Sequence, residues 1–187
     1  MTASRRRVEL LELAEAVLER EGLAGFGVGS LARAAGVKPP SLYKHFDGLP
    51  DLEAALISRG FAAFARDIAD ATEALPADAG PRDRVAAFAR TYRSHALAHP
   101  QLYRMMTGGP LDRDRLDNGA EGAAMADLLA LFGEDETDYA TARAAWAWAH
   151  GLVVLEIADR FPPGADLDAS WDVLIDTMTA RAAGARS

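Results

Sequence analysis

The sequence predicts an all-α protein with a small N-terminal head of three helices and a larger C-terminal helical bundle. Apolar residues recur at helical spacing through most of the 187 residues, and alternating, strand-like patterns are few. The segment from Val28 to Phe46 has the spacing of a helix-turn-helix. We assign the head to residues 1–50 and the bundle to residues 51–187.

The first two helices of the head follow from apolar spacing and from glycine. Between Val8 and Gly22 apolar side chains recur every three or four residues, which predicts a helix that ends at Gly22. In the next helix the small Ala32 allows close packing against its neighbour. Gly36 then provides the positive φ of the tight turn inside the motif.

The second helix of the motif is predicted to begin near Pro39 and to continue to His45. Proline is tolerated in the first turn of a helix, because the N–H that it lacks has no intrahelical partner there. In a helix-turn-helix this second helix lies in the major groove of DNA and contacts the bases with its N-terminal residues.

Charge is distributed unevenly along the chain. Residues 1–60 contain eight Lys or Arg and eight Asp or Glu, whereas the remainder contains twelve and twenty, so the net charge of -8 resides outside the head. Residues 22–46 contain no acid, and Arg33, Lys38 and Lys44 make them positive. An acidic body behind a locally basic head is compatible with binding nucleic acid.

The rest of the sequence predicts helices separated by short breaks. A long amphipathic helix follows the head from Pro50 to Leu75, with Asp51 as its N-cap. The polar, glycine-containing segment 107–122 is the longest predicted loop. The other predicted helices are Arg82–His99, a short segment from Pro100, Ala123–Phe132, Thr137–Phe161 and Leu167–Ala183.

Composition excludes several classes of protein. The chain has no cysteine, which rules out disulfides, thiolate metal sites and cysteine catalysis. It has no long uncharged apolar run of the kind that spans a membrane. Acids follow the first basic residues at once, which argues against a secretory signal. We therefore expect a cytoplasmic protein with no membrane partner.

Thirteen residues of the segment Arg6–Gly60 have a spacing found in a known family. They are Ala14, Leu18, Gly22, Leu31, Ala32, Ala35, Gly36, Val37, Leu42, Tyr43, His45, Phe46 and Leu52. On these residues the segment resembles the TetR family of transcriptional regulators. The resemblance implies a head that binds double-stranded DNA and a C-terminal domain that dimerises and binds a small-molecule effector. It also implies repression that the effector relieves.

The resemblance implies roles for individual residues of the head. Ser41, Tyr43 and His45 match the phosphate-contacting and groove-facing positions of the family's third helix. Lys44 matches a variable position that helps to select the base sequence. The predicted DNA-binding residues are Arg33, Lys38, Ser41, Tyr43, Lys44 and His45.

Departures from the family pattern remove expected contacts. Gly27 stands where Thr or Ser is usual and Lys38 where Ser is usual, so two helix N-caps and one hydroxyl contact to phosphate are lost. Leu49 replaces a common Lys and removes another phosphate contact. Lys38 and the run Arg5–Arg7 are candidates to compensate, although that run is equally consistent with a solvated tail.

The C-terminal part contains candidates for contact with a ligand. The run Trp146–Gly151 is similar to the Trp, His and Gly signature of the WHG branch of TetR C-terminal domains. Bulky residues at helical spacing are usually plain core, but several polar tips in one bundle need partners, which a small and mostly apolar molecule can supply. The candidate ligand-binding residues are Phe64, Tyr92, His95, Tyr103, Met106, Trp146 and His150.

Dimerisation is predicted from the penultimate helix. It is apolar on nearly all sides between Ala144 and Ile157, so it must be buried on more than one face. In the TetR family the last two helices of two subunits commonly pack as a four-helix interface. We therefore expect a homodimer with a near-palindromic operator, and we expect Val153 and Leu174 to lie in the interface.

Motifs of catalysis do not occur in the sequence. It contains no HExxH, phosphate loop, dinucleotide fingerprint or GxSxG. His95 and His99 have a metal-like spacing but no evident third ligand, so we expect no metal, no other cofactor and no enzyme activity. The alternative is an all-α enzyme or carrier for an apolar ligand, in which the helix-turn-helix is only a packing unit.

Overall fold

The computed structural model describes residues 5–133 and 135–184, and they confirm the predicted all-α class. Eight α-helices occur in these ranges, namely α1 (Arg5–Gly25), α2 (Val28–Ala34), α3 (Gly48–Glu73), α4 (Pro81–Ala98), α5 (Pro100–Thr107), α6 (Ala120–Phe132), α7 (Glu136–Ile157) and α8 (Leu167–Gly184). Two short 3₁₀ helices are Pro39–Lys44, which we call the recognition helix, and Arg113–Arg115. No helix in these ranges is both long and apolar enough to cross a bilayer.

The predicted helix boundaries are correct to within a few residues. Helix α1 continues to Gly25, but Gly22 has a φ of 69° and interrupts it, so the predicted end coincides with a kink. Helix α7 ends at Ile157 and not at Phe161, because Asp159 has a left-handed φ of 50°. Helix α6 begins at Ala120, which shortens the predicted loop.

The described residues divide into two compact units that do not follow chain order. Unit 1 contains the residues up to Ala62 together with His99–Glu121, so α5 belongs with the helix-turn-helix. Unit 2 contains Ala63–Ala98 and the described residues from Gly122 onward. Helix α3 therefore contributes its first part to unit 1 and its second part to unit 2. The domain boundary at residue 50 stays a prediction.

Unit 1 has one apolar core to which α1, α2, the recognition helix, α3 and α5 all contribute. This shared core explains why the short recognition helix is held in place, since it buries few residues of its own. The buried residues of the core are Leu10, Ala14, Val17, Leu18, Phe26, Leu31, Ala32, Leu42, Phe46, Leu52, Leu56 and Leu102.

Helix α5 is bound in unit 1 by the carboxylate of Glu19 and packs closely against Gly60 of α3. The Glu19 carboxylate accepts the N–H groups of Gln101 and Leu102 at 3.1 and 2.9 Å, and such groups at a helix start have no intrahelical partner. A Cβ on Gly60 of α3 would lie 2.5 Å from the sulfur of Met106. A side chain at position 60 would therefore have to displace the side chain of Met106.

Unit 2 packs α4 against α7 and α8. Val153 of α7 and Leu174 of α8 are 0% and 3% exposed. The expectation that these two residues lie in a subunit interface is therefore wrong, because both are core residues of a single chain. The apolar pattern of α7 showed that more than one face is buried but not which residues face its own subunit.

Arg93 links the three main helices of unit 2. Its guanidinium bonds to both carboxylate oxygens of Glu156, with the shortest contact at 2.7 Å, and to Asp168 at 2.5 Å. It also lies 5.7 Å from the ring centre of the buried Trp171. The hydrogen bond to Glu156 raises the pKa of Arg93, although partial burial opposes that shift. This network fixes α4, α7 and α8 to one another.

Candidate nucleic-acid interface

The turn of the helix-turn-helix has the geometry that its glycine predicts. Gly36 has a φ of 65°, in the left-handed region that glycine adopts without steric cost. The N–H of Val37 then bonds to the carbonyl of Ala32 at 3.0 Å and closes the turn. Ala32 is buried, as expected for the position at which the helices of the motif approach most closely.

The recognition helix is a 3₁₀ helix of six residues, a tighter form than the α-helix expected. It begins with Pro39 and Pro40, and the N–H of Ser41 bonds to the carbonyl of Lys38 at 2.9 Å. Such i to i+3 bonds are typical of short 3₁₀ segments. The helix buries Leu42 in the core of unit 1. Its other side chains are therefore available to contact another molecule.

All six predicted DNA-binding residues are accessible. His45 is half-buried, Tyr43 is 60% exposed, and the other four are also exposed. Arg33, Lys38 and Lys44 form no ion pair with any residue that the structure describes. These three cations without carboxylate partners are therefore available to bind the phosphates of DNA. Each contact between a cation and a phosphate would release counterions from the DNA. The DNA-binding role of the six residues stays a prediction.

Arg7 points inward and contacts the end of the recognition helix. Its guanidinium donates to the carbonyl oxygen of His45, lies 4.5 Å from the ring centre of Phe46 and lies 3.6 Å from an Asp51 oxygen. For this residue the expectation of a solvated tail is wrong, and a phosphate contact by Arg7 stays a prediction. Arg5 is exposed and pairs with Glu9 at 3.1 Å.

Two side chains accept backbone N–H groups at the starts of helices α2 and α3. The Ser30 hydroxyl accepts the N–H of Gly27 at 2.9 Å, which is the backward half of a capping box at the start of α2. Asp51 accepts the N–H of Asp47 at 2.9 Å. Helix α3 begins at Gly48, so Asp51 lies within its first turn, and its carboxylate accepts a backbone N–H that precedes the helix. The expectation that Asp51 is the N-cap residue is therefore wrong.

Three of the predicted ligand-binding residues form an aromatic cluster in unit 2. The ring of Phe64 lies 5.5 Å from that of Tyr92 and 5.4 Å from that of His95, both in edge contact. His95 is buried, and its Nδ1 lies 2.6 Å from an oxygen of Asp67. The cluster therefore contains polar groups, and Asp67 already satisfies the Nδ1 of His95.

The other four predicted ligand-binding residues lie elsewhere. Trp146 and His150 of α7 have ring centres 5.8 Å apart, and burial lowers the pKa of His150. Tyr103 and Met106 lie on α5 in unit 1. The seven residues therefore do not all belong to one unit, and their role in binding a ligand stays a prediction.

The two histidines with metal-like spacing have different carboxylate neighbours. His95 lies beside Asp67, whereas the Nδ1 of His99 lies 3.3 Å from an oxygen of Glu15. In the described part of the chain, no three or more His, Cys, Asp or Glu side chains are grouped so as to hold a metal ion.

Two regions of the chain match described protein families. Residues 10–49 match the family of bacterial regulatory proteins called tetR. Residues 85–178 match the tetracyclin repressor-like C-terminal domain. The first region contains the helix-turn-helix and the second contains most of unit 2, so both parts of the chain are matched independently.

One individual protein is related in sequence and two are similar in fold over most of their length. The chain is 34% identical over 157 residues to the uncharacterized HTH-type transcriptional regulator Rv0681 of Mycobacterium tuberculosis, covering 81% of this chain and 70% of that protein. A protein of unknown function from Rhodococcus sp. RHA1 superposes with a TM-score of 0.78 at 30% identity, over 93% of each chain. BioQ, solved with its double-stranded DNA operator, superposes with a TM-score of 0.65 at 19% identity, over 93% of this chain and 98% of BioQ.

Proposed function

Because the chain belongs to the TetR family of DNA-binding transcriptional regulators, we propose that it is a homodimeric repressor that a small, mostly apolar effector releases from a near-palindromic operator. Family membership makes the chain a DNA-binding regulator and not an enzyme. The proposal concerns the sign of regulation, the residues that contact DNA, the subunit interface and the effector.

One observation carries the assignment of the DNA contacts. Tyr43 and Lys44 are exposed on the recognition helix, Lys38 is exposed immediately before it, and neither lysine is neutralised by a carboxylate that the structure describes. Phosphate contacts position a protein on DNA, whereas contacts to base edges give sequence preference. We assign Tyr43 and Lys38 to phosphates and Lys44 to base selection.

The proposed subunit interface consists of the outer faces of α7 and α8. On α7 the face opposite the buried side is apolar. Val154 and Leu155 on this face are exposed, and the small residues Ala144, Ala147 and Gly151 of the same face lie nearer the start of the helix. On α8 the exposed Val173 also lies opposite the buried side. The exposed apolar face of α7, together with the exposed Val173 of α8, favours a contact between two identical subunits.

The proposed effector site is in unit 2. The cluster of Phe64, Tyr92 and His95 combines apolar rings with hydrogen-bonding groups, which is the composition of most small-molecule sites. Helix α3 runs without a break from unit 1 into unit 2. A ligand that displaced the second part of α3 would thus act on the helix whose first part packs in the DNA-binding unit, and coupling of about 1–3 kcal/mol is typical of such linkage.

The experiment that tests this function is selection of duplexes from a random-sequence library with the full chain. The proposal predicts enrichment of an inverted repeat whose half-sites lie roughly one helical turn apart, because two heads related by a two-fold axis enter successive major grooves. A transcription assay with the selected duplex upstream of a promoter should then give lower output with the protein than without it. Enrichment of a single unrepeated site would contradict the dimer, and raised output would contradict repression.

A further inference from the structure

We infer that unit 2 has a site for an amphipathic monoanion, an apolar chain ending in one carboxylate, in the groove that contains Arg84. The inference rests on the proposed function only in that this ligand is a candidate effector, and the groove of Arg84 is a second candidate site beside the cluster of Phe64, Tyr92 and His95. It differs from the predicted ligand set, because Arg84 is not among those residues and the groove has its own walls.

The groove has the size and the walls of a small-molecule site. Its volume is about 310 Å³, and eight of the ten lining residues that the structure describes are apolar. Small-molecule sites typically measure roughly 300–1,000 Å³ and are mostly apolar. Ile68 of α3, Phe88 of α4 and Leu131 of α6 are among the walls. Ile68 and Phe88 are already buried, so an apolar chain placed against these walls would mainly remove its own hydrocarbon from water.

Among the residues that the structure describes, Arg84 is the charged residue that lines the groove. It is exposed and forms no ion pair with any described residue. Arg82, two positions earlier, differs in this respect, because it pairs with Asp176 at 2.9 Å. A lone guanidinium beside an apolar surface favours a ligand with one carboxylate, which it can bind through two parallel hydrogen bonds.

The inner wall of the groove belongs to the apolar core of unit 2. Val85, Phe88 and Leu131 line the groove and also line a void of about 10 Å³ whose other walls are apolar core residues. A void of that volume is about the size of one water molecule. The alkyl chain of the ligand is therefore assigned to the groove itself, with its charged end at Arg84.

A second groove in unit 2 does not have this character. It has a volume of about 420 Å³ and lies between α4 and α8, and its charged lining residues are Arg90, Arg93, Asp168 and Asp172. Equal numbers of cations and carboxylates offer no net attraction to an anion, and Arg93 is already bonded to Asp168. The anion site is therefore assigned to the groove of Arg84 and not to this one.

The test compares three ligands that share one chain and differ in the head group, namely octanoate, 1-octanol and octylammonium. Their binding to the full-length protein is measured by calorimetry, with Arg84→Gln as the main variant. Arg90→Gln is the matched control, because Arg90 is an exposed arginine of the same helix that also forms no ion pair with a described residue. Ala79→Trp, in the loop before α4, narrows the mouth of the groove.

We expect wild-type protein to bind octanoate more tightly than 1-octanol, and octylammonium most weakly. Arg84→Gln should weaken octanoate roughly tenfold, the effect of losing one charge-assisted contact, and should leave 1-octanol unchanged. Arg90→Gln should change neither ligand, and Ala79→Trp should weaken both. Equal octanoate affinity in wild type and Arg84→Gln, or no octanoate binding by wild type, would overturn the site.

Operator binding is measured on the same proteins without ligand, so that the two proposals fail separately. If operator binding is intact and octanoate does not bind, the anion site is wrong and the DNA-binding function stands. If octanoate binds through Arg84 and releases the operator, the site is supported as the effector site. If it binds through Arg84 and operator affinity does not change, the site is supported and its role in release is contradicted.

Discussion

Arg7, near the start of α1, donates a hydrogen bond to the carbonyl oxygen of His45, one residue beyond the recognition helix. The same guanidinium lies over the ring of Phe46 and near Asp51 at the start of α3. Arg7 and His45, which are 38 positions apart in the chain, are thus in contact at the C-terminal end of the recognition helix. The orientation of that helix depends on a residue outside the helix-turn-helix itself.

Replacement of Arg7 by Ala is expected to lower the free energy of unfolding by about 1–3 kcal/mol, because it removes a charged hydrogen bond and a cation–π contact. Operator affinity should fall for all sequences alike, since the recognition helix loses an anchor. Thermal unfolding and binding titrations measure the two effects. Arg5→Ala is the control, because Arg5 is exposed and its ion pair among the described residues is with Glu9. This variant should change stability by less than about 0.5 kcal/mol.

Salt dependence separates positioning by Arg7 from a direct phosphate contact. A lost phosphate contact reduces the slope of log affinity against log salt by about 0.9. If Arg7 acts by holding the recognition helix, Arg7→Ala should bind more weakly with an unchanged slope. A reduced slope together with unchanged stability would show that Arg7 contacts DNA.

Leu155→Arg is expected to give a monomer with poor operator affinity, because it places a charge in the proposed apolar interface of α7. Leu97→Arg of α4 is the matched control, since the two leucines are 44% and 40% exposed and receive the same charge. Light scattering at micromolar concentration measures the subunit state. A wild-type monomer, or a Leu155→Arg dimer of wild-type strength, would contradict the proposed interface. Val153→Arg is unsuitable, because Val153 is fully buried and its replacement would unfold the chain.

His150 should make the fold less stable in acid. Burial lowers its pKa in the folded chain, so the unfolded chain binds the proton more tightly. As the pH falls below the ordinary histidine pKa of about 6.5, protonation favours unfolding and the stability that the neutral form contributes is lost. Between about pH 7.5 and about pH 5.5, the midpoint of thermal unfolding should fall more in wild type than in His150→Gln. Equal decreases would show that His150 does not contribute.

Local features of the fold were predictable because their causes are local. The turn at Gly36, the kink at Gly22 and the start of α5 at Pro100 each depend on the backbone preferences of one residue. The family resemblance of the head was correct, and both matched regions confirm it. The WHG branch of the C-terminal domain stays a prediction.

Features that depend on contacts distant in sequence were not predictable. The chain does not reveal that Glu19 binds the start of α5, or that Arg7 contacts His45, because no periodic pattern connects such pairs. The apolar surface of α7 indicated burial on several sides without saying that Val153 is internal. Aromatic residues at helical spacing are common to cores and ligand sites, so the predicted ligand set includes residues of both units.

The exposed cations around the recognition helix are proposed to bind DNA, and operator affinity as a function of salt tests this role most directly. The proteins compared are wild type, Lys38→Ala, Lys44→Ala and the double variant. Arg160→Ala is a control that removes the same charge from an exposed residue of unit 2 with no ion pair to a described residue. Affinity is followed by fluorescence anisotropy on the selected duplex and on duplexes with single base changes.

We expect Lys38→Ala to weaken binding to all duplexes alike and to reduce the salt slope by about 0.9. Lys44→Ala should lose about 1–3 kcal/mol at the base pair that it contacts and should relax the preference there. Arg160→Ala should behave like wild type. If the double variant keeps the wild-type affinity, salt slope and base preference, the recognition helix is not the DNA-binding surface and the account is wrong.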